Sequence, residues 1–125
     1  MGWGVFFLHV KEFYKKQMNL KPLIIKPLSI GANHTSTPDD VDNARYLYCA
    51  NTVSKTNSNG TRFVAIRSAG GTLKSTIMVG ANETIIIEKD RTDKVSGTTG
   101  PAGALLGNSA NGNVVFTKIA INGQT

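Results

Sequence analysis

Asp39, Asp40 and Asp42 form the one acid cluster of the chain, and a group of carboxylates is where an oxygen-liganded cation such as calcium would be sought. Their spacing follows neither the ligand rhythm nor the central glycine of an EF-hand loop. Thr37-Pro38-Asp39-Asp40-Val41-Asp42 has instead a capping residue, a proline suited to a first helical position and acids for a first turn. That order predicts a short helical turn with no metal.

The other residue types that carry chemistry are sparse. His9 and His34 are the only histidines, and neither has a partner at a fixed spacing. Members of a hydrolase triad are neighbours in space rather than in sequence, so spacing alone does not decide the matter, but there is no Gly-x-Ser-x-Gly elbow. Gly70-Gly71-Thr72-Leu73-Lys74 lacks the form of a phosphate-binding loop and leads into a strand, so it reads as a hairpin turn. The single cysteine, Cys49, excludes a disulfide within the chain and any CxxC site. It lies in the strand-like run Arg45 to Ala50, as a small buried hydrophobe would, and it fits a reducing compartment. The expectation is therefore a protein that is not an enzyme, with no catalytic, cofactor-binding or metal-ligating residue.

Charge excludes little but weights the partners. The net charge is +6, of which Lys11, Lys15, Lys16 and Glu12 place +2 in the first seventeen residues. Further on, Arg62, Arg67, Lys74, Lys89, Arg91, Lys94 and Lys118 alternate with acids and hydroxyls instead of forming one basic face. Nucleic acid is thus not an expected partner. The sequons at Asn33, Asn59 and Asn82 are a chance consequence of 11 Asn and 13 Thr.

The elements that must hold these residues are strands. Charged residues make up 18%, while Gly, Thr and Asn abound, which suits short strands joined by tight turns. Leu23 to Ile30 is an apolar run broken by Pro27, an edge strand or two short pieces. Arg45 to Asn51 is a strand, and the polar Lys55 to Gly60 loop ends in a hairpin signal. Three β-rich runs follow between Thr61 and Lys89, cut by Ala-Gly-Gly and Gly-Ala-Asn turns and read as hairpins. Phe63 to Arg67 and Ile85 to Ile87 have mixed patterns that predict strands covered on both faces. Asp90 to Asp93 is a charged turn, Thr98 to Gly112 an exposed loop touching the core at Leu105 and Leu106, and Val114 to Ile121 a last strand. The fold class expected is all-β: a compact antiparallel β-sandwich of six or seven strands, jelly-roll or immunoglobulin-like topology open, with a short helical turn.

Residues 1–17 differ in style. Met1 to Val10 is apolar but shorter than the roughly 20 residues that span a bilayer as a helix. No positive charge precedes it, so it is neither a span nor a secretory signal, and a membrane is not an expected partner. Trp3, Phe6, Val10 and Phe13 approach helical spacing, which predicts an N-terminal helical extension. Met18-Asn19-Leu20-Lys21-Pro22-Leu23 reads as an ordinary protein start, so residues 1–17 are taken as an extension and residues 18–125 as a single domain.

Three stretches carry a resemblance. They are Asp40-Val41-Asp42-Asn43-Ala44-Arg45-Tyr46-Leu47-Tyr48, then Ala50-Asn51-Thr52, and finally Asn82-Glu83-Thr84-Ile85-Ile86-Ile87-Glu88-Lys89 continuing through Thr92-Asp93 to Ser96-Gly97. From residue 19 to 122 this order resembles small virion structural proteins of tailed phages of marine cyanobacteria. The resemblance implies a capsid decoration or other accessory head protein, a β-sandwich in the virion that is assembled in the host cytoplasm. Its partners would be the major capsid protein or other virion subunits, and it carries over no site residue.

Such a part works through its edges. The Leu23 to Ile30 strand and the Val114 to Ile121 strand are the expected edges, and either could pair with a neighbouring subunit's sheet, a homo-oligomer included. The alternative is a small ligand-binding module, for instance for carbohydrate, using Tyr46 and Tyr48. Alternation places both rings on one side of their strand.

Overall fold

The computed structural model describes residues 22–34, 37–101 and 114–125. The expected extension at residues 1–17, His9, and the Leu105 and Leu106 contact lie outside them. The described chain is a β-sandwich of eight strands: β1 (Ile25–Pro27), β2 (Ala32–Asn33), β3 (Tyr46–Asn51), β4 (Arg62–Arg67), β5 (Leu73–Val79), β6 (Thr84–Glu88), β7 (Lys94–Thr98) and β8 (Val114–Ile121). One sheet runs β1-β8-β3-β6, with β2 also on β8; the other runs β5-β4-β7. Every pairing is antiparallel.

Period-two alternation builds the core. Leu47 and Cys49 on β3, Phe116 and Val114 on β8, and Ile87 on β6 face Val64 and Ile66 on β4, Val79 on β5 and Val95 on β7. Phe116 and Leu47 are the largest of the fully buried side chains. Burying such a side chain stabilises the fold by roughly 1.5–3 kcal/mol, so this seam of aliphatics between the sheets dominates the energetics.

Four expectations need correction. The terminal strand β8 is not an edge: it pairs with β3 on one side and with β1 and β2 on the other. Of the turns read as hairpins, only Ala69–Gly71 joins neighbouring strands, β4 and β5, where Gly71 takes φ 97° and the Ser68 amide donates to the Thr72 carbonyl at 2.8 Å. The loops after β3 and β5 cross from one sheet to the other. Ile86 is exposed although Ile87 is buried, because β6 is an edge strand with one face open to solvent.

The turn after Pro38 also has the opposite hand to the one expected. Val41, Asp42 and Asn43 have φ of 56°, 54° and 58°, and the Ala44 amide donates to the Asp40 carbonyl at 3.2 Å. This is one turn of left-handed helix, where the capping pattern predicts a right-handed one. Each left-handed residue costs roughly 1–2 kcal/mol, most for a β-branched one. Burial of Val41 and Ala44 in the core and two carboxylate bonds offset the cost.

Candidate functional site

The acid cluster is used up locally. Asp39 Oδ1 accepts the Val41 amide at 2.6 Å, and Asp40 Oδ1 accepts the Asn43 amide at 3.2 Å. Lys118 Nζ donates to the Asp42 carbonyl at 2.9 Å and lies 3.6 Å from its carboxylate. Among the described residues no group of three or more His, Cys, Asp or Glu side chains could hold a metal ion. His34 stacks on Phe116, ring centroids 5.8 Å apart, and its carbonyl accepts the Gly97 amide. Cys49 is buried, and burial pushes its thiol up to about 12, which makes thiolate chemistry inaccessible in the folded state.

Tyr46 and Tyr48 do share the outer face of β3. The Arg45 guanidinium covers the Tyr46 ring at 4.9 Å from its centre, and Arg45 is held in turn by Glu88 at 3.0 Å. Only Tyr48 is exposed, next to Ile86 on β6.

A further group of charges has no counterpart in the sequence pattern. A recess of about 370 Å³ is lined by Ile66, Lys74, Ser75, Glu88, Lys89, Asp90 and Asp93. Lys74 Nζ donates to Asp93 at 2.8 Å and to Asp90 at 3.2 Å, and these bonds, Asp93 first, hold its ammonium above the ordinary Lys value. Lys89 is buried, its Nζ bonded to the Asp90 and Arg91 carbonyls at 3.2 Å each. Burial lowers its affinity for a proton, partly countered by Asp40, Asp93, Asp39 and Asp90. Both carboxylates of the β6–β7 turn are thus engaged by one amine, so the recess is an ion-pair clasp between that turn and β5. Parity could have revealed Lys89, since it continues the inward row of Ile85 and Ile87.

The strand edges remain. On β1 the amides of Ile24 and Leu28 face β8 and its following turn, so by alternation the positions of Ile25 and Pro27 face outward. Pro27 therefore lacks its N–H on the open side, where an edge strand tolerates it. Leu23, Ile24, Ile25, Leu28 and Ile30 are all exposed, Ile30 at 93%. Beside them a recess of about 310 Å³ lies between Pro22, Ile24, Asn122 and Gly123.

Comparison with family models, curated proteins and solved structures returns no match. Among the described residues no helix is long and apolar enough to cross a membrane, which says nothing of a β-barrel.

Proposed function

We propose that the chain is a non-enzymatic phage virion structural protein, a capsid decoration or accessory head protein that docks on the assembled shell. The observation that carries this reading is the exposed apolar margin Leu23, Ile24, Ile25, Leu28 and Ile30 along one edge of a rigid sandwich. Large apolar side chains left exposed together along one edge point to a contact surface. With the outward N–H missing at Pro27, side-chain burial rather than continuous strand addition would make the contact, and the recess beside Ile24 would accept an apolar side chain of the shell. Many copies on a lattice make a weak contact effective. The resemblance in residues 82–97 supports the same reading.

The test is mass spectrometry of purified particles from the phage that encodes the chain. The polypeptide should be present, and Ile30→Asp with Leu23→Asp should lower its copy number while leaving the fold intact. Particles without the polypeptide would overturn the reading. A carbohydrate-binding module is the second reading, and exposed Tyr48 favours it, although Arg45 covers the ring of Tyr46 and narrows the platform to one aromatic.

A further inference from the structure

Sheet edges invite pairing with other chains, and proteins block them with proline, lysine, bulges or covering loops. Three of the edges here are blocked in these ways. On β1, Pro27 interrupts the outward row. β5 carries a bulge, because Ile66 pairs with Ser75 but Arg67 with Leu73, which leaves Lys74 as the extra residue, and Thr76 is tied to the Pro101 carbonyl. The outer side of β7 is occupied: Val95 exchanges backbone bonds with Asp39, and the Gly97 amide reaches the His34 carbonyl.

Among the described residues β6 has none of these devices. The Asn51 amide donates to the Glu83 carbonyl and the Lys89 amide to the Arg45 carbonyl, so residues 83, 85, 87 and 89 bond inward to β3. By alternation the backbone groups of Thr84, Ile86 and Glu88 point outward, and all three residues are exposed. The run Thr84-Ile85-Ile86-Ile87 is β-branched throughout and free of proline and glycine. The apolar surface around it is open as well. Ile86 is 40% exposed beside Tyr48, and Ile77, which pairs with Val64 on the core-facing side of β5, is still 39% exposed at the seam between the sheets.

We propose that β6 pairs antiparallel with β6 of a second copy of this chain, about a two-fold axis through Ile86. A two-fold pairing is self-complementary, so one surface serves both partners. In this register Ile86 faces its own copy and Thr84 faces Glu88 of the partner, which keeps the two Glu88 carboxylates apart; moving the axis from Ile86 to Glu88, a slide of four residues, would set them opposite each other. The axis is perpendicular to the sheet, so the five-stranded sheet continues into its copy. A five-residue edge with a few flanking side chains is small beside the roughly 800 Å² per partner of a standard interface. The dimer is accordingly weak, with a Kd of about micromolar order. It holds whether or not the chain is a virion component.

Sedimentation velocity of the full chain between roughly 1 and 100 µM, a range bracketing that affinity, tests the idea with two exposed-position variants. Ile86→Lys places two ammonium groups together at the axis and should abolish the dimer. Thr84→Arg gains Glu88 of the partner twice over and should tighten it by about two- to thirtyfold, the effect of two favourable cross-strand pairs. The Ile86 amide of the unaltered chain should exchange more slowly with solvent as concentration rises. A monomer throughout the range, a dimer that Ile86→Lys leaves intact, or a weaker dimer in Thr84→Arg would each overturn the pairing.

Discussion

The carboxamide of Asn51 joins the two sheets by donating to the carbonyl of Val79 at 2.9 Å. Asn51 ends β3 in one sheet and Val79 ends β5 in the other. The same amide nitrogen donates to Gly60 at 2.8 Å, and Oδ1 accepts the Val53 amide at 3.0 Å, so a side chain that is 2% exposed has its polar atoms bonded. The crossing loop after β3 is thereby fastened at both ends, which is why a polar residue is retained among core positions.

Asn51→Ala would leave the Gly60 and Val79 carbonyls without this donor in a buried setting. Orphaned buried groups cost about 1–3 kcal/mol each, so the variant should lose about 2–6 kcal/mol. Urea unfolding measures it, and an unchanged midpoint would mean that water reaches these carbonyls.

Gly60 is required by space. A Cβ there would stand 2.6 Å from the Ala81 Cβ and 3.3 Å from Val53 Cγ1. Gly60→Ala should destabilise by about 1–3 kcal/mol, as overpacking does. Adding Ala81→Gly should recover much of the loss, and a double-mutant cycle without coupling would refute the contact.

Two lysines should bend the alkaline stability curve in opposite senses. Lys89 has its affinity for a proton lowered by burial, so below the ordinary value of 10.5 the unfolded chain binds a proton that the folded chain releases, and stability rises with pH there. Lys74 is raised by Asp93 and Asp90, so its contribution is full below 10.5 and is lost as pH climbs through the folded value. Unfolding measured from pH 8 to 12, a span chosen around the ordinary lysine range, should show Lys89→Met without the rise and Lys74→Met without the later loss. Parallel curves for both variants and the parent would contradict this assignment.

Cys49 should resist thiol reagents in the native state, because the reactive thiolate is suppressed by a value near 12 and the sulfur is buried. Labelling should be slower than in the unfolded chain by about a thousandfold or more, following opening of the sandwich. Fast labelling at native stability would show that the β3–β8 seam opens locally.

Much of the architecture was legible from local pattern. The positions of β1, β3, β4, β5, β6 and β8 follow from alternation and turn residues, and Pro27 marked the Leu23 to Ile30 run as an edge. By contrast, β2 and β7 have no such signal, and Thr98, read as the start of an exposed loop, is buried at the end of β7. The central runs misled because alternation says which side of a strand is apolar but not which strand lies next to it. Gly80-Ala81-Asn82 would serve a hairpin equally well, yet β5 and β6 lie in different sheets. The clasp around Lys74 was hidden for a similar reason: Asp90 and Asp93 are 16 and 19 residues away, and only folding brings them to it.

The sequence by itself determined an all-β chain, the Gly71 turn, the edge character of β1 and the absence of a disulfide, because these depend on dihedral preference, side-chain period and residue count. Tertiary structure alone decided that β8 lies inside its sheet, that residues 41–43 turn left-handed, that Asn51 and Lys89 are buried and that β6 ends its sheet among the described strands. Those outcomes depend on which distant segments share a core, where burying Val41 outweighs an unfavourable φ and where the final strand is sandwiched between β3 and β1.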